Sequence, residues 1–203
     1  MNIFVSKLKK NKGMTYVEII VVLSIFSVVS TVAMFNYGDF QARVDVNNLA
    51  NDIALKIVEA QKSSLSGFIP PSGAPATWKP AYGVYFDINP ASLNKSFIYF
   101  ADLDNQNFFE GTDCTSECLS KVSITKNNFI KGLAVHFQDN TSTALEDLTI
   151  SFSRIGSAAT LASGLLSGGT KYNNADYVQI TVESPKGVQA LIKVYRSGRV
   201  EVD

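Results

Sequence analysis

The sequence contains few of the residues on which most enzyme active sites depend. Its 203 residues include one histidine and two cysteines. The chain has no G-x-S-x-G motif, which would present a serine nucleophile on a sharp turn. We therefore do not expect the protein to be an enzyme.

Net charge is also lacking. The 18 basic and 18 acidic residues balance at neutral pH, so the chain has no global basic field of the kind that attracts nucleic acid. It also has no array of aromatic and basic residues on which single-stranded bases would stack. We expect no nucleic-acid partner.

Charge is scarcest over residues 13–38. Between Lys12 and Asp39 the only charged residue is Glu18, and no proline interrupts residues 14–35. As a helix this stretch would be about 33 Å long, close to the ~30 Å hydrocarbon core of a bilayer. A cleaved secretory signal is the rival interpretation, but its apolar region has only about 7–15 residues and an A-x-A-like site should follow it. The pattern therefore predicts a membrane-spanning helix over residues 14–35.

The orientation of this span follows from its flanking charges. Four lysines precede it, and the first basic residue after it is Arg43, which lies between two aspartates in the sequence. With one apolar run we expect a single pass through the cytoplasmic (inner) membrane, and the positive-inside rule predicts its orientation. The N-terminus would stay in the cytoplasm, and residues from about 36 onward would be exported.

Glu18 is unusual because it lies near the start of the apolar run. An ionised carboxylate within hydrocarbon costs at least ~2.5 kcal/mol, so it is usually neutral or paired. Glu18 could reach the membrane interface, or a cation could meet it within the span. Three serines follow at every third residue, which suits close helix–helix contact or hydrogen bonding to the helix backbone: Ser24, Ser27 and Ser30.

The stretch "KGMTYVEIIVVLSIFSVV" resembles the N-terminal signature of type IV pilins and type II secretion pseudopilins. In that signature a short basic leader ends in glycine, and a glutamate is the fifth residue after the cleavage point. The leader would be residues 1–13, and cleavage would fall between Gly13 and Met14. Met14 stands where phenylalanine is usual, and Phe35 stands where many major pilins have proline.

This resemblance implies a set of partners and roles. A prepilin peptidase would cleave after Gly13 on the cytoplasmic side and methylate the new amino group of Met14. Thr15 and Glu18 would act in assembly, with Glu18 aligning and neutralising the N-terminal charge of its own or a neighbouring subunit. Other pilin or pseudopilin subunits would bind through the N-terminal helix.

The helical pattern continues past the span, over residues 36–66. Apolar residues recur at steps of three and four, which is typical of an amphipathic helix: Val46, Leu49, Ala50, Ile53, Ile57 and Ala60. Gly67 can cap the helix and Pro70-Pro71 should end it. Residues 36–38 have the weakest helix propensity, so a bend or local melting is expected there.

Residues 67–203 are expected to form an exported, β-rich globular domain. Short strand-like runs follow one another, and in residues 177–183 apolar and polar residues alternate as in a half-buried antiparallel strand. Residues 184–187 and 196–199 are turn candidates, and residues 158–176 are predicted to be a long Gly/Ser-rich loop. The fold class is therefore α+β, a long N-terminal helix with its second half packed on an antiparallel sheet, as in pilins.

The two cysteines, Cys114 and Cys118, lie in the exported part. An oxidising compartment favours a disulfide. Free thiols or a metal pair are the alternatives, although only His136 could add a histidine ligand.

Residues 102–113 resemble an EF-hand-like calcium loop. Six residues fall at ligand positions of such a loop: Asp102, Asp104, Gln106, Phe108 through its carbonyl, Glu110 and Asp113. Asn107 stands where glycine is usual, but asparagine tolerates the left-handed conformation that the turn needs. A Ca²⁺ site and a plain polar loop both remain open.

These features predict a structural subunit, a minor pilin or pseudopilin. It would assemble into a type IV pilus or a type II secretion-type pseudopilus at the periplasm or cell surface. Whether the system serves pili, secretion or competence stays open. The alternative is a single-pass membrane-anchored binding module outside the cytoplasm, whose β-domain recognises a ligand with or without bound calcium.

Overall fold

The structure is a computed structural model that describes residues 13–70, 78–90, 93–109, 114, 117–154, 156–164 and 169–203. The chain divides into two compact units, Met1–Phe40 and Gln41–Asp203. One long apolar helix is followed by antiparallel sheets, which makes the fold α+β. Glu110 and Asp113 of the predicted calcium loop lie outside the described residues.

The helix α1 runs from Tyr16 to Ser66, and local signals set both of its ends. At the start, the Thr15 hydroxyl accepts a hydrogen bond from the backbone N–H of Glu18 at 3.3 Å, as an N-cap residue does. At the end, Gly67 has φ of +67°, and the N–H groups of Gly67 and Phe68 donate to the carbonyls of Ser64 and Ser63. This is a Schellman cap, which glycine forms without steric strain.

Residues 36–38 are helical, so local melting of the backbone is not found there. The first unit exposes large hydrophobic side chains over residues 14–34 and at Tyr37 and Phe40. An 18-residue window of α1 has a mean hydropathy of 2.4 and no buried residue. By length and composition, α1 is therefore able to cross a membrane.

The second unit contains the strands of two antiparallel sheets. In chain order they are β1 Ala81–Asp87, β2 Ser96–Ala101, β3 Cys118–Ser123, β4 Phe129–Phe137, β5 Ser142–Leu145, β6 Asp147–Ser153, β7 Gly156–Ser163, β8 Thr170–Lys171, β9 Ala175–Glu183, β10 Gln189–Tyr195 and β11 Val200–Val202. One sheet has the order β3-β2-β1-β6-β7-β8, and the other has the order β11-β10-β9-β4-β5.

The second half of α1 and both sheets share one hydrophobic core. The helix contributes five completely buried residues: Val46, Ala50, Ile53, Ile57 and Ala60. They pack in one cluster with residues such as Val84 of the first sheet and Ile180 of the second. Burial of a Val or Ile side chain contributes about 1.5–3 kcal/mol, so this helix face is a main source of stability.

A second, smaller cluster lies apart from that core. It contains Tyr85 and residues of β2, with Phe109 packed among them. The rings of Phe100 and Phe109 lie 5.2 Å apart between centroids. Phe109 therefore fixes the far end of the loop that follows β2.

Two differences from the sequence prediction concern the β-domain. The predicted single sheet is two sheets, because strands on both sides of the core have apolar faces to bury. The predicted loop over residues 158–176 contains most of β7, which pairs with β6. Its small residues give a weak strand signal, but Ala159, Leu161 and Ala162 are buried.

Candidate functional sites

The predicted processing site lies just before the helix. Residues 13–15 precede α1, and Gly13 and Met14 are both exposed. A Cβ built on Gly13 would have no atom within 4 Å. Residues 1–12 of the predicted leader lie outside the described part of the chain. The Gly13–Met14 bond is therefore in exposed, non-helical backbone, which a peptidase could reach.

Glu18 lies in the first turn of α1. A carboxylate at this end is favoured by the helix dipole, typically by about 0.3–1 kcal/mol at an exposed site. Thr15 and Glu18 also have the T-x-x-E spacing of a capping box. Both residues are exposed within the chain, so either is accessible to another molecule.

The hydroxyl residues of the span bond to their own helix. Ser24 donates to the carbonyl of Val21, and Thr31 donates to the carbonyl of Ser27, each at 2.8 Å. Such bonds satisfy a hydroxyl inside an apolar environment. For Ser24, hydrogen bonding to the backbone therefore accounts for a polar side chain in the span.

A cluster of carboxylates lies at the end of β2. Asp102 follows that strand directly and is fully buried. Its two oxygens accept hydrogen bonds from the backbone N–H groups of Gln106, at 3.1 Å, and Asn107, at 2.7 Å. The turn is tight, with φ of +65° at Asn105 and +66° at Asn107. Asn107 therefore adopts the left-handed conformation that asparagine tolerates.

The sequence pattern did not identify Glu117 as part of this cluster. Carboxylate oxygens of Asp102, Asp104 and Glu117 all lie within 4.8 Å of one another. Glu117 also accepts a hydrogen bond from the backbone N–H of Leu103 at 2.8 Å. It lies beyond the twelve-residue window of an EF-hand loop, and only the pairing of β2 with β3 brings it back.

The surroundings of Asp102 disfavour the ionised form of its carboxyl group. Its pKa is raised to about 6, first by burial and then by the neighbouring Asp104. The hydrogen bonds from Asn107 and Gln106 act in the opposite direction. A proton or a cation would relieve this cost, and three carboxylates are ligands that Ca²⁺ accepts.

The other predicted calcium ligands are arranged differently from an EF-hand. The side-chain amide nitrogen of Gln106 donates to Asp104 at 2.7 Å, and the backbone carbonyl of Gln106 accepts a hydrogen bond from the Lys171 ammonium group at 2.8 Å. The Phe108 side chain is buried. The structure therefore brings together Asp102 and Asp104 of the predicted set, with Glu117 as the third carboxylate.

A disulfide joins Cys114 and Cys118, whose Cα atoms are 4.8 Å apart. Cys118 begins β3 and packs against the small cluster that contains Phe109. Because Glu117 precedes Cys118, the disulfide closes the chain directly beside the carboxylate cluster. His136 instead stacks its ring on Tyr177 at 4.5 Å, on the second sheet.

Comparisons of this chain with family models, with curated proteins and with solved structures find no match. The functional assignment therefore depends on the residues themselves. Two features carry chemistry: the exposed N-terminus of α1 with Glu18, and the carboxylate cluster of Asp102, Asp104 and Glu117.

Proposed function

We propose that the protein is a pilin-like structural subunit, a minor pilin or pseudopilin. A prepilin peptidase processes it, and its N-terminal helix assembles it into a pilus or a secretion-type pseudopilus. The observation that carries this proposal is the first half of α1, whose apolar 18-residue window contains no buried residue and which has Glu18 in its first turn. A helix of this kind needs a lipid or protein environment, since it buries none of its apolar window within its own chain.

The position of Glu18 supports assembly as well as anchoring. A carboxylate in hydrocarbon costs at least ~2.5 kcal/mol, which exceeds the gain of about 0.3–1 kcal/mol from the helix dipole, so Glu18 has a net cost in a span that only anchors. Cleavage after Gly13 would create a positive amino group on Met14, about one helical turn before Glu18. The two charges would neutralise each other, within one subunit or between neighbours, when the helix enters a filament.

The exposed backbone at Gly13–Met14 supports processing of the precursor at the membrane. The precursor would cross the cytoplasmic membrane once, with its lysine-rich leader in the cytoplasm. The β-rich unit would then be exported and carried outward on the filament. Its disulfide at Cys114–Cys118 suits an oxidising compartment.

Intact-mass measurement of the protein extracted from membranes tests the processing step. We expect a chain that lacks residues 1–13 and carries one additional methyl group. A chain of full length would contradict the proposal. A Gly13→Leu variant is the matched control, because a bulky residue at the cleavage point should leave the leader attached.

A second candidate function is favoured by the carboxylate cluster. In this alternative the protein is a membrane-anchored binding module, and Asp102, Asp104 and Glu117 bind Ca²⁺. We expect calcium to raise the thermal unfolding temperature of the full chain in detergent, because the cation offsets repulsion among the carboxylates. Glu117→Gln should abolish the calcium effect and should raise the unfolding temperature in chelator.

The control for this calcium experiment is Glu201→Gln, which removes a carboxylate from β11 and should leave the calcium response intact. An unfolding temperature that is insensitive to both calcium and chelator would exclude a calcium site. Calcium binding would not exclude the pilin-like proposal, since the cluster and the N-terminal helix are separate features of the chain.

A further inference from the structure

The Tyr85 hydroxyl is a buried polar group that has no hydrogen-bond partner among the described residues. The residue is 2% exposed, and its ring packs on that of Phe109 with 5.1 Å between the centroids. Buried polar groups nearly always have a partner, which can be an ordered water or an ion. The hydroxyl oxygen of Tyr85 is therefore available to a small ligand.

Two carboxylates share the face of the first sheet on which this hydroxyl lies. Tyr85 and Asp87 are alternate residues of β1, so they are on the same side of the sheet. Asp147 of β6 is the register partner of Asp87. Burial, and then the charges of these two aspartates, raise the pKa of Tyr85. Its hydroxyl therefore stays neutral and offers a lone pair to a ligand.

The acidic groups at this place have no basic partner in the described part of the chain. Burial raises the pKa of Asp87 and of Asp147, and the charge of Glu146 adds to both shifts. No described ion pair includes any of these three acids. Backbone N–H groups of Asn89 and Gly164 donate to the two aspartates, but they carry no full charge. A cation would offset the repulsion that remains.

A small cavity lies against Tyr85 and Asp87. Its volume is about 10 Å³, which is about the room that one water molecule needs. Ser96 and Lys121 are the other polar residues of its wall. The described ion pairs do not join Lys121 to Asp87 or to Asp147. A ligand in this cavity must be as small as a water molecule, so organic cations are too large for it.

We propose that Tyr85, Asp87 and Asp147 form a binding site for a monovalent inorganic cation, Na⁺ or K⁺. The Tyr85 oxygen and the Asp87 carboxylate are its ligands at the cavity, and Asp147 adds negative charge from β6. All of these groups bind through oxygen, which is the ligand atom that hard cations take. The bound ion stabilises the pairing of β1 with β6 by offsetting the repulsion between their acidic ends.

The size of the cavity favours a monovalent ion over a divalent one. Ca²⁺ takes about six to eight oxygen ligands, and Mg²⁺ usually keeps several waters, whereas this cavity holds about one particle. Removing water from an ion also costs less when its charge is smaller, because the Born cost rises with the square of the charge. This site therefore differs in chemistry from the carboxylate cluster of Asp102, Asp104 and Glu117.

Thermal unfolding of the full chain in detergent tests the site. The chlorides of Na⁺, K⁺ and choline are compared at about 200 mM and about pH 7.5, so that ionic strength is constant and the choline ion is too large for the cavity. A site that is about nine-tenths filled should raise the unfolding temperature by about 3–6 °C over the value in choline. The larger of the Na⁺ and K⁺ responses identifies the preferred ion.

Two variants address the ligands. Tyr85→Phe and Asp87→Asn should each reduce the difference between the salts to less than about 1 °C. In choline, both variants should be more stable than the wild type, because one removes a buried hydroxyl without a partner and the other removes a repelling charge. A gain in choline together with a lost salt response is a result that damaged packing would not produce.

The matched control is Tyr195→Phe. It also removes a tyrosine hydroxyl, but that hydroxyl donates to Glu201 at 2.9 Å on the second sheet. The Tyr195→Phe variant should keep the full salt response. Glu117→Gln should keep it as well, because Glu117 belongs to the carboxylate cluster and not to the wall of this cavity.

Three outcomes would overturn the cation site. Equal unfolding temperatures in the three salts would show that the cavity holds water only. A salt response that persists in both Tyr85→Phe and Asp87→Asn would place the ion elsewhere. A response at about pH 4 as large as that at about pH 7.5 would also contradict the site, since protons should compete for its carboxylates. Processing after Gly13 could survive all three, so this failure would be distinct from failure of the proposed function.

Discussion

At the scale of single residues, Gly83 shows how closely the strands of the first sheet approach one another. A Cβ at this position would lie 2.6 Å from two ring carbons of Phe100 and 2.7 Å from the backbone oxygen of Ile150. Phe100 is fully buried and the oxygen belongs to a neighbouring strand, so neither can move aside. Only glycine fits between β2 and β6 at this point.

We predict that Gly83→Ala lowers the free energy of unfolding by about 2–3 kcal/mol, because the methyl group overpacks a closed site. The matched control is Gly132→Ala, since Gly132 is also in a strand but its added Cβ would have no atom within 4 Å. That variant should change the free energy by less than about 0.5 kcal/mol. Urea unfolding of the full chain in detergent measures both values, and equal effects would contradict the packing argument.

At the scale of the elements, two acidic residues meet where β1 and β6 pair. Asp87 is the register partner of Asp147. Burial raises the pKa of both carboxyl groups, and repulsion from Asp87 adds to the shift at Asp147. An acid whose pKa is raised in the folded state binds its proton more tightly there. The protein should therefore lose stability as pH rises from about 4 through the folded pKa values.

We predict that Asp87→Asn raises the thermal unfolding temperature at pH 7 and leaves it almost unchanged at pH 3. Asparagine keeps the oxygen that accepts the backbone N–H of Asn89 but removes the charge. Asp139→Asn is a control of opposite sign, because hydrogen bonds from Thr141 lower the pKa of Asp139. It should lower the unfolding temperature at pH 7. A parallel response of the two variants to pH would contradict this assignment.

The elements also show what local sequence can and cannot determine. Thr15 and Gly67 identify the two ends of α1 because each cap depends on residues within one turn. The strand β7 was missed because its small residues have weak local preference and acquire their role from pairing with β6. Glu117 was missed for the same reason, since its proximity to Asp102 depends on the pairing of β2 with β3.

At the scale of the whole molecule, the chain combines a well-packed globular unit with an apolar helix segment whose described large hydrophobic side chains are exposed. The globular unit buries one face of α1 in a core shared by both sheets. The Met14–Phe40 segment leaves large hydrophobic side chains such as Ile25 and Phe26 about 60–68% exposed. By length and composition, a segment of this kind is able to cross a membrane.

A carboxylate within such a segment is usually neutral or paired with a cation, and this makes Glu18 the test of the proposed assembly. We predict that Glu18→Ala is still processed after Gly13 but is incorporated into filaments at a much lower level. Glu18→Gln should behave in the same way, because it keeps the size of the side chain and removes only the charge that would neutralise the amino group of Met14. Sheared-filament fractions, compared with total membrane protein by immunoblotting, measure incorporation.

Asp39→Asn is the matched control, because Asp39 is the next acidic residue along α1 and lies far from the new N-terminus in sequence. It should assemble at the wild-type level. Normal incorporation of both Glu18 variants would show that the carboxylate has no part in assembly. A joint loss of all three variants would point instead to a general need for acidic residues on α1, since removal of any acid would then have the same effect.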